Sequence, residues 1–223
     1  MRSFVITIPR LKDRLDAFMA DPFRPADVEV FQGIDAANLG HFPARWNHPK
    51  GGFALNLTYI ALFMQMIREC QKEPFMVFED DALCSKNFMP QAITALAEAP
   101  MDKAVEWWSI NLGPHVGEPG DYKNPTVVSK NLVRLHHAWR TQGVIYNPLF
   151  LAPLIDLIGE VGGPCDQIYC NRMMKGWQCF YATKRLLVGA RANVSSNNGQ
   201  VWEDFTGPFG FGGPIHASVN RTS

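Results

Sequence analysis

At 223 residues, 47% hydrophobic and 19% charged, the chain suits one globular domain with an ample core and has no low-complexity tract. Its formal net charge of zero excludes a global field that would draw in nucleic acid or an anionic membrane. Its five cysteines are odd in number and lack a CxxC pair, which excludes a recognisable zinc site or disulfide framework and points to a reducing compartment.

In chain order, "SFVITIP" is a β-branched run closed by Pro9 and predicts a buried strand. It starts within three residues of Met1, which leaves no room for a signal peptide, so a cytoplasmic location is expected. "RLKDRLDAFMADP" places Leu11, Leu15, Phe18 and Met19 at helical spacing before Pro22. "VEVFQGID" reads as a second strand ending at Gly33 and Asp35. Strand, helix, strand at the outset predicts a βαβ unit and a parallel sheet.

Residues 36–52 are rich in Gly, Pro, Asn and His and read as loop, and "LNLTYIALFMQMIRECQKE" is an amphipathic helix ended by Pro74. Its mostly apolar stretch "YIALFMQMI" is too short to span a bilayer, so no transmembrane segment is expected. "FMVFEDD" follows as strand, "NFMPQAITALAEAP" as helix and "EWWSINLG" as strand. Residues 113–131 read as an irregular excursion, "LVRLHHAWRTQGVIYN" as two short strands, "PLFLAPLIDLIGEVG" as helix and "CFYATKRLLVG" as strand. From Ala192 the chain is rich in Asn, Ser and Gly, and "GPFGFGGP" fits no regular element. The expected organisation is therefore an α/β domain over 1–191, its mostly parallel sheet flanked by helices. A tail over 192–223 is expected to fold across the active site.

The chemistry concentrates at "FMVFEDD", where a strand delivers Glu79, Asp80 and Asp81 to one point. In open α/β sheets ligands sit beyond the carboxyl ends of the strands, where Asp35 and the loop after Pro9 also fall. Alternation puts Glu79 and Asp81 on one face and Asp80 on the other. Two readings stand. In one, a hard cation such as Mg²⁺ or Mn²⁺ lies between Glu79 and Asp81 and bridges to phosphates. In the other, the strand simply ends in water with three solvated acids.

As an ordered set, "FVITIPRLKDRL", "VEVFQGIDAAN", "GGFALNLTYIALFMQMIREC", "PFMVFEDDALCSKNF", "WWSINLGP", "RTQGVIYNPLFLAPLID" and "GGPCDQIYC" resemble glycosyltransferase family 25, the lipopolysaccharide-type and collagen-type sugar transferases. The resemblance covers roughly residues 3–190. The chain departs from the family pattern at Thr7, at Phe53-Ala54 and at Asn56-Leu57, where the family has Asn, Gly-Cys and Ser-His. The resemblance implies a GT-A fold and Glu79-Asp80-Asp81 as a DxD-type motif, with Glu79 and Asp81 holding Mn²⁺ or Mg²⁺ against the diphosphate of a nucleotide sugar, a UDP-sugar first among donors. It also implies inversion at the anomeric carbon and hence a general base. Asp166 occupies the family's Pro-x-Asp place and is either that base or a helix N-cap.

Around this core, Pro9, Arg10 and Arg14 follow the first strand, where the arginines either contact the diphosphate or cap a surface helix. Asp35 serves base or ribose binding, or a turn. Asn56 and Tyr59 line a donor pocket or belong to the core, and His216 in the tail is either a third metal ligand or solvent-exposed. A glycan of the lipopolysaccharide type is the expected acceptor. The segment from Tyr122 to Arg191, with nine Lys/Arg against three Asp/Glu, also admits an anionic acceptor such as hydroxymethylated phage DNA. Two rivals remain. One is a nucleotidyltransferase, which would usually carry a Gly-rich phosphate loop that "IPRLKDR" lacks; the other is a non-catalytic sugar-nucleotide or glycan binder.

Overall fold

The computed structural model describes residues 1–100, 106–114, 125–160 and 162–191. The expected tail, with His216, lies outside the described residues. The predicted βαβ start forms: β1 (Ser3–Thr7), a 3-10 turn at Pro9–Leu11, α1 (Lys12–Met19), then β2 (Glu29–Gln32) parallel to β1. α2 (Lys50–Arg68) leads to β3 (Phe75–Glu79), which pairs parallel with the other side of β1. Next come β4 (Ala82–Cys84), α3 (Phe88–Ala97), β5 (Ser109–Asn111), β6 (Thr126–Val127), β7 (Leu132–Arg134) and β8 (Gly143–Tyr146). α4 (Leu151–Gly159), α5 (Cys165–Met174), β9 (Phe180–Thr183) and β10 (Val188–Ala190) complete the described chain.

Among the described residues, eight strands make one sheet in the order β2-β1-β3-β8-β5-β9-β7-β6. Six of them run the same way, while β8 and β7 oppose their neighbours. The sheet is therefore mixed but mostly parallel, as the sequence pattern predicts. "CFYATKRLLVG" differs: it forms two strands, and β10 leaves the sheet to pair antiparallel with β4. The break follows Thr183, whose hydroxyl donates to Arg185 O at 2.7 Å and closes a turn.

All five residues of β1 are buried, because alternate side chains feed cores on both faces. Phe4 and Ile6 face one core, shared with Phe75, Val77 and the α2 stripe Tyr59, Leu62, Phe63 and Met66. Val5 faces the other, shared with Met76, Phe78, and Phe18 of α1. The stripe on α2 has the i, i+3, i+4, i+7 spacing of a core-facing helix. Burying side chains of this size stabilises by about 1.5–3 kcal/mol each before chain entropy is set against it. β2 instead lies at the sheet edge, with Val30 exposed.

One topological feature positions the site. Antiparallel β8 sits between β3 and β5, so the segment entering it, Arg140–Gln142, arrives at the carboxyl ends of its neighbours. Glu79 N donates to Gln142 O at 3.1 Å, and Leu112 N to Gly143 O at 2.9 Å.

Candidate active site

β3 ends at Glu79, and Asp80 and Asp81 make the turn into β4. Each carboxylate has a different environment. Asp80 turns toward β1 and α1, where its carboxylate accepts from the Thr7 hydroxyl at 2.7 Å and pairs with Arg14 at 2.6 Å. Arg14 also reaches Asp81 at 2.9 Å, so a single guanidinium bridges the two aspartates. Both contacts come from the one Nη2 nitrogen and are charge-assisted. The other oxygen of Asp81, Oδ1, is buried with no hydrogen-bond partner among the described residues. Burial pushes both aspartates upward in pKa, against the pull of Arg14.

Glu79 accepts from the Thr141 hydroxyl at 2.5 Å. Desolvation, then the charge of Asp81, raises its carboxyl to about 8, so at neutral pH Glu79 is largely protonated. Asp166 adds its own negative charge to that push. It lies in the first turn of α5, one residue inside the helix, where the cap position is Pro164. A carboxylate there is favoured by the helix dipole. Asp166 Oδ1 accepts from Gln167 N at 2.8 Å and Oδ2 from Arg140 N at 3.4 Å.

The segment joining Glu79 to Asp166 is clamped from below. Asn111 Nδ2 donates to Arg140 O at 2.7 Å, the Tyr59 hydroxyl to Thr141 O at 3.2 Å, and Glu79 N to Gln142 O. Arg140 holds φ at 80°, an uncommon conformation for a non-glycine residue that costs about 1 kcal/mol or more and persists where surroundings enforce it. Burial lowers the pKa of its guanidinium while Asp81 raises it.

Asn56 and Tyr59 are buried, and the structure gives both a supporting place behind these groups. Asn56 Nδ2 donates to Gly163 O at 2.9 Å, anchoring the turn before Asp166. Pro9 and Asp35 line a cavity of about 490 Å³ at the carboxyl ends of β1 and β2, together with Thr7, Lys12 and Gly33. Asp35 caps the 3-10 turn that follows by accepting from Ala37 N at 2.9 Å, and it pairs with the exposed Arg10 at 2.7 Å.

The sheet edge thus brings together Thr7, Arg14, Glu79, Asp80, Asp81, Thr141 and Asp166, with Asp35 across the adjacent cavity. Thr141, Arg140 and Asn111 escaped the sequence reading. The available signal was "RTQG" directly before a buried run, but its meaning depended on the reversed direction of β8, which no local pattern encodes. Among the described residues, no group of three or more His, Cys, Asp or Glu is disposed to hold a metal ion. The donors that do fit one are Asp81, through its unpartnered oxygen, and Glu79 once deprotonated. That pair matches the habit of Mg²⁺ of taking one or two carboxylates plus substrate oxygens. Among the described residues, no helix is long and apolar enough to cross a membrane.

No protein-family model matches the chain, and no curated protein sequence does. Among solved structures it is similar to UDP-glucose pyrophosphorylase complexed with UDP-glucose, at 11% identity and a TM-score of 0.38 over 82% of this chain and 72% of that one. The apo form of a UDP-glucose pyrophosphorylase gives 10% identity and a TM-score of 0.35 over 82% and 72%. A mannose-1-phosphate geranyltransferase from Thermus thermophilus gives 11% identity and a TM-score of 0.36 over 81% of this chain and 58% of that one. Likenesses of this degree assign no activity to this chain.

Proposed function

We propose that the chain is a metal-dependent glycosyltransferase of the family 25 type, moving a sugar from a nucleotide-sugar donor, a UDP-sugar first, to a saccharide hydroxyl with inversion. The observation that carries this reading is the convergence of Asp81, with its unpartnered buried oxygen, Glu79 and Asp166 on one sheet edge beside the 490 Å³ cavity.

In this reading the nucleoside enters the cavity between β1 and β2, where Asp35 accepts from ribose hydroxyls or a base N–H and the Pro9 turn supports its apolar side. The diphosphate lies over Asp81. Asp81 and Glu79 would hold Mn²⁺ or Mg²⁺, whose chemistry there is to neutralise the charge that develops on the departing diphosphate. Arg14 holds Asp80 and Asp81 in place and lends positive charge to the same locality. Thr141 fixes the Glu79 carboxyl.

Asp166 receives the proton of the acceptor hydroxyl as its oxygen forms the new bond to the anomeric carbon. The bond from that carbon to the diphosphate oxygen breaks on the opposite side, and its electron pair leaves with the nucleoside diphosphate. The Arg140 N–H on Asp166 Oδ2 and the Gln167 N–H on Oδ1 orient the carboxylate, and each oxygen keeps a further lone pair for the incoming proton.

Calorimetric titration with UDP-, GDP- and CMP-sugars, each with and without Mn²⁺, tests the reading. Tight, metal-dependent binding of one donor class, followed by slow donor hydrolysis in water, is the expected result. A folded protein that binds none of them refutes it.

A further inference from the structure

Residues 42–53, from the loop into the first turn of α2, hold a group of rings that the core does not use. Phe42, Trp46, His48 and Phe53 belong to neither of the two core clusters, and each is half-buried. They pack on one another. Trp46 meets Phe53 at 5.1 Å and 58°, and His48 at 5.5 Å and 65°; Phe42 meets Phe53 at 5.8 Å and 57°. The loop is braced internally, with Trp46 N donating to Pro43 O at 2.8 Å and its indole N–H to Pro49 O at 3.2 Å. A polar, Gly/Pro-rich loop gains little stability from aromatics that remain half in water, so these rings are stationed rather than buried.

Their place is beside the turn that carries Asp166. A Cβ on Gly52 would lie 3.1 Å from Pro164 and 3.5 Å from the Trp46 ring; one on Gly163 would lie 3.3 Å from His48 Nε2 and 2.8 Å from Gln167 Oε1. Gly163 also sits at φ 154°, so this close approach depends on glycine. Trp46 and His48 therefore flank Gly163 and Pro164, three and two residues before Asp166.

We infer that the Trp46–His48 platform is the acceptor subsite, taking the pyranose ring of a saccharide whose hydroxyl then faces Asp166. The inference rests on the transferase reading above. A pyranose presents a face of C–H bonds that packs on an aromatic ring while its hydroxyls, on the ring edge, reach polar donors such as the His48 imidazole. Residues 36–68 contain no Asp or Glu and include Arg45 and Lys50, the latter held 4.8 Å over the Phe42 ring. The platform thus accepts a neutral or an acidic sugar, and the two are separable by experiment.

The test is saturation-transfer NMR on the full chain with methyl β-glucopyranoside, methyl β-glucuronide and a short oligothymidylate as separate probes. Wild-type protein should transfer saturation to one or both glycosides, and Trp46→Ala should reduce the transfer about fivefold or more, as loss of an aromatic contact predicts. Response to the glucuronide alone identifies an acidic acceptor, and response to both identifies a ring-only platform. If Trp46→Ala fails to melt cooperatively, the shift of the Trp46 indole resonance in wild type, assigned with Trp46→Phe, gives the same reading. Equal transfer in wild type and Trp46→Ala, an unmoved indole resonance, or response to the oligonucleotide alone overturns the inference. Titration of the same samples with UDP, GDP and CMP reads the donor site separately. UDP binding without glycoside response removes only the subsite, whereas failure to bind any of UDP, GDP and CMP removes the transferase reading itself.

Discussion

Replacing Glu79 with Gln should change how stability depends on pH, in a direction the site dictates. In the folded chain Glu79 titrates near 8, against 4.5 for an unburdened carboxyl, because it is desolvated and faces Asp81. A raised carboxyl pKa means that the folded state binds the proton more tightly than the unfolded state does. Stability is therefore greatest below about 4.5 and falls as pH rises toward 8, beyond which no further loss occurs. Each unit of pKa is worth about 1.4 kcal/mol, so the full shift corresponds to about 5 kcal/mol. Residual contact with water reduces the expected gain to roughly 2–4 kcal/mol. Gln fills the same space and still accepts from Thr141, but carries no charge at any pH. Urea unfolding of both proteins at pH 5.5, 7 and 8.5, in chelator, supplies the difference directly. The stability advantage of Glu79→Gln over wild type should grow steadily from pH 5.5 to pH 8.5. Parallel stability curves would refute the desolvated, proton-holding Glu79.

Three further outcomes follow from the same geometry. Asp166→Asn should lower turnover by about a hundredfold or more with donor affinity nearly unchanged, since a base acts only in the transition state; weakened donor binding at normal turnover would give Asp166 a structural role. Thr7→Val deletes the hydroxyl donor to Asp80 and leaves a buried carboxylate oxygen short of a partner, so a loss of about 1–3 kcal/mol is expected in denaturant unfolding. Mn²⁺ affinity, measured in the presence of UDP, should strengthen from pH 6 to 8.5 because Glu79 must shed its proton to become a ligand; a flat profile would exclude Glu79 from the metal site.

The parts of this fold that were legible in the sequence rest on periodicity and punctuation. β1, α1, α2 and β3 follow from β-branched runs, the stripe Tyr59, Leu62, Phe63, Met66, and prolines at 9, 22 and 74. The acids at the end of β3 were visible for the same reason, because a buried run followed by three carboxylates marks a strand end. What local pattern could not show was direction. β8 reads like any other buried strand, yet its antiparallel insertion is what carries Thr141 to Glu79 and the Arg140 N–H to Asp166. Likewise "CFYATKRLLVG" is continuous in hydropathy, and only the Thr183 turn and the pairing of β10 with β4 divide it. Asn56 and Tyr59 were visible as polar atoms on an apolar helix face, but their partners, Gly163 O and Thr141 O, lie 107 and 82 residues away.

The central claim is that Asp81 and its neighbours hold a metal-bound nucleotide sugar. Calorimetric titration of UDP into wild type and Asp81→Ala, each in chelator and in Mn²⁺, tests it most directly. Wild type should bind UDP about tenfold or more tightly with Mn²⁺ than without, and Asp81→Ala, still folded, should show no difference between the two conditions. Metal-independent UDP binding in wild type, or an undiminished metal effect in Asp81→Ala, would contradict the account.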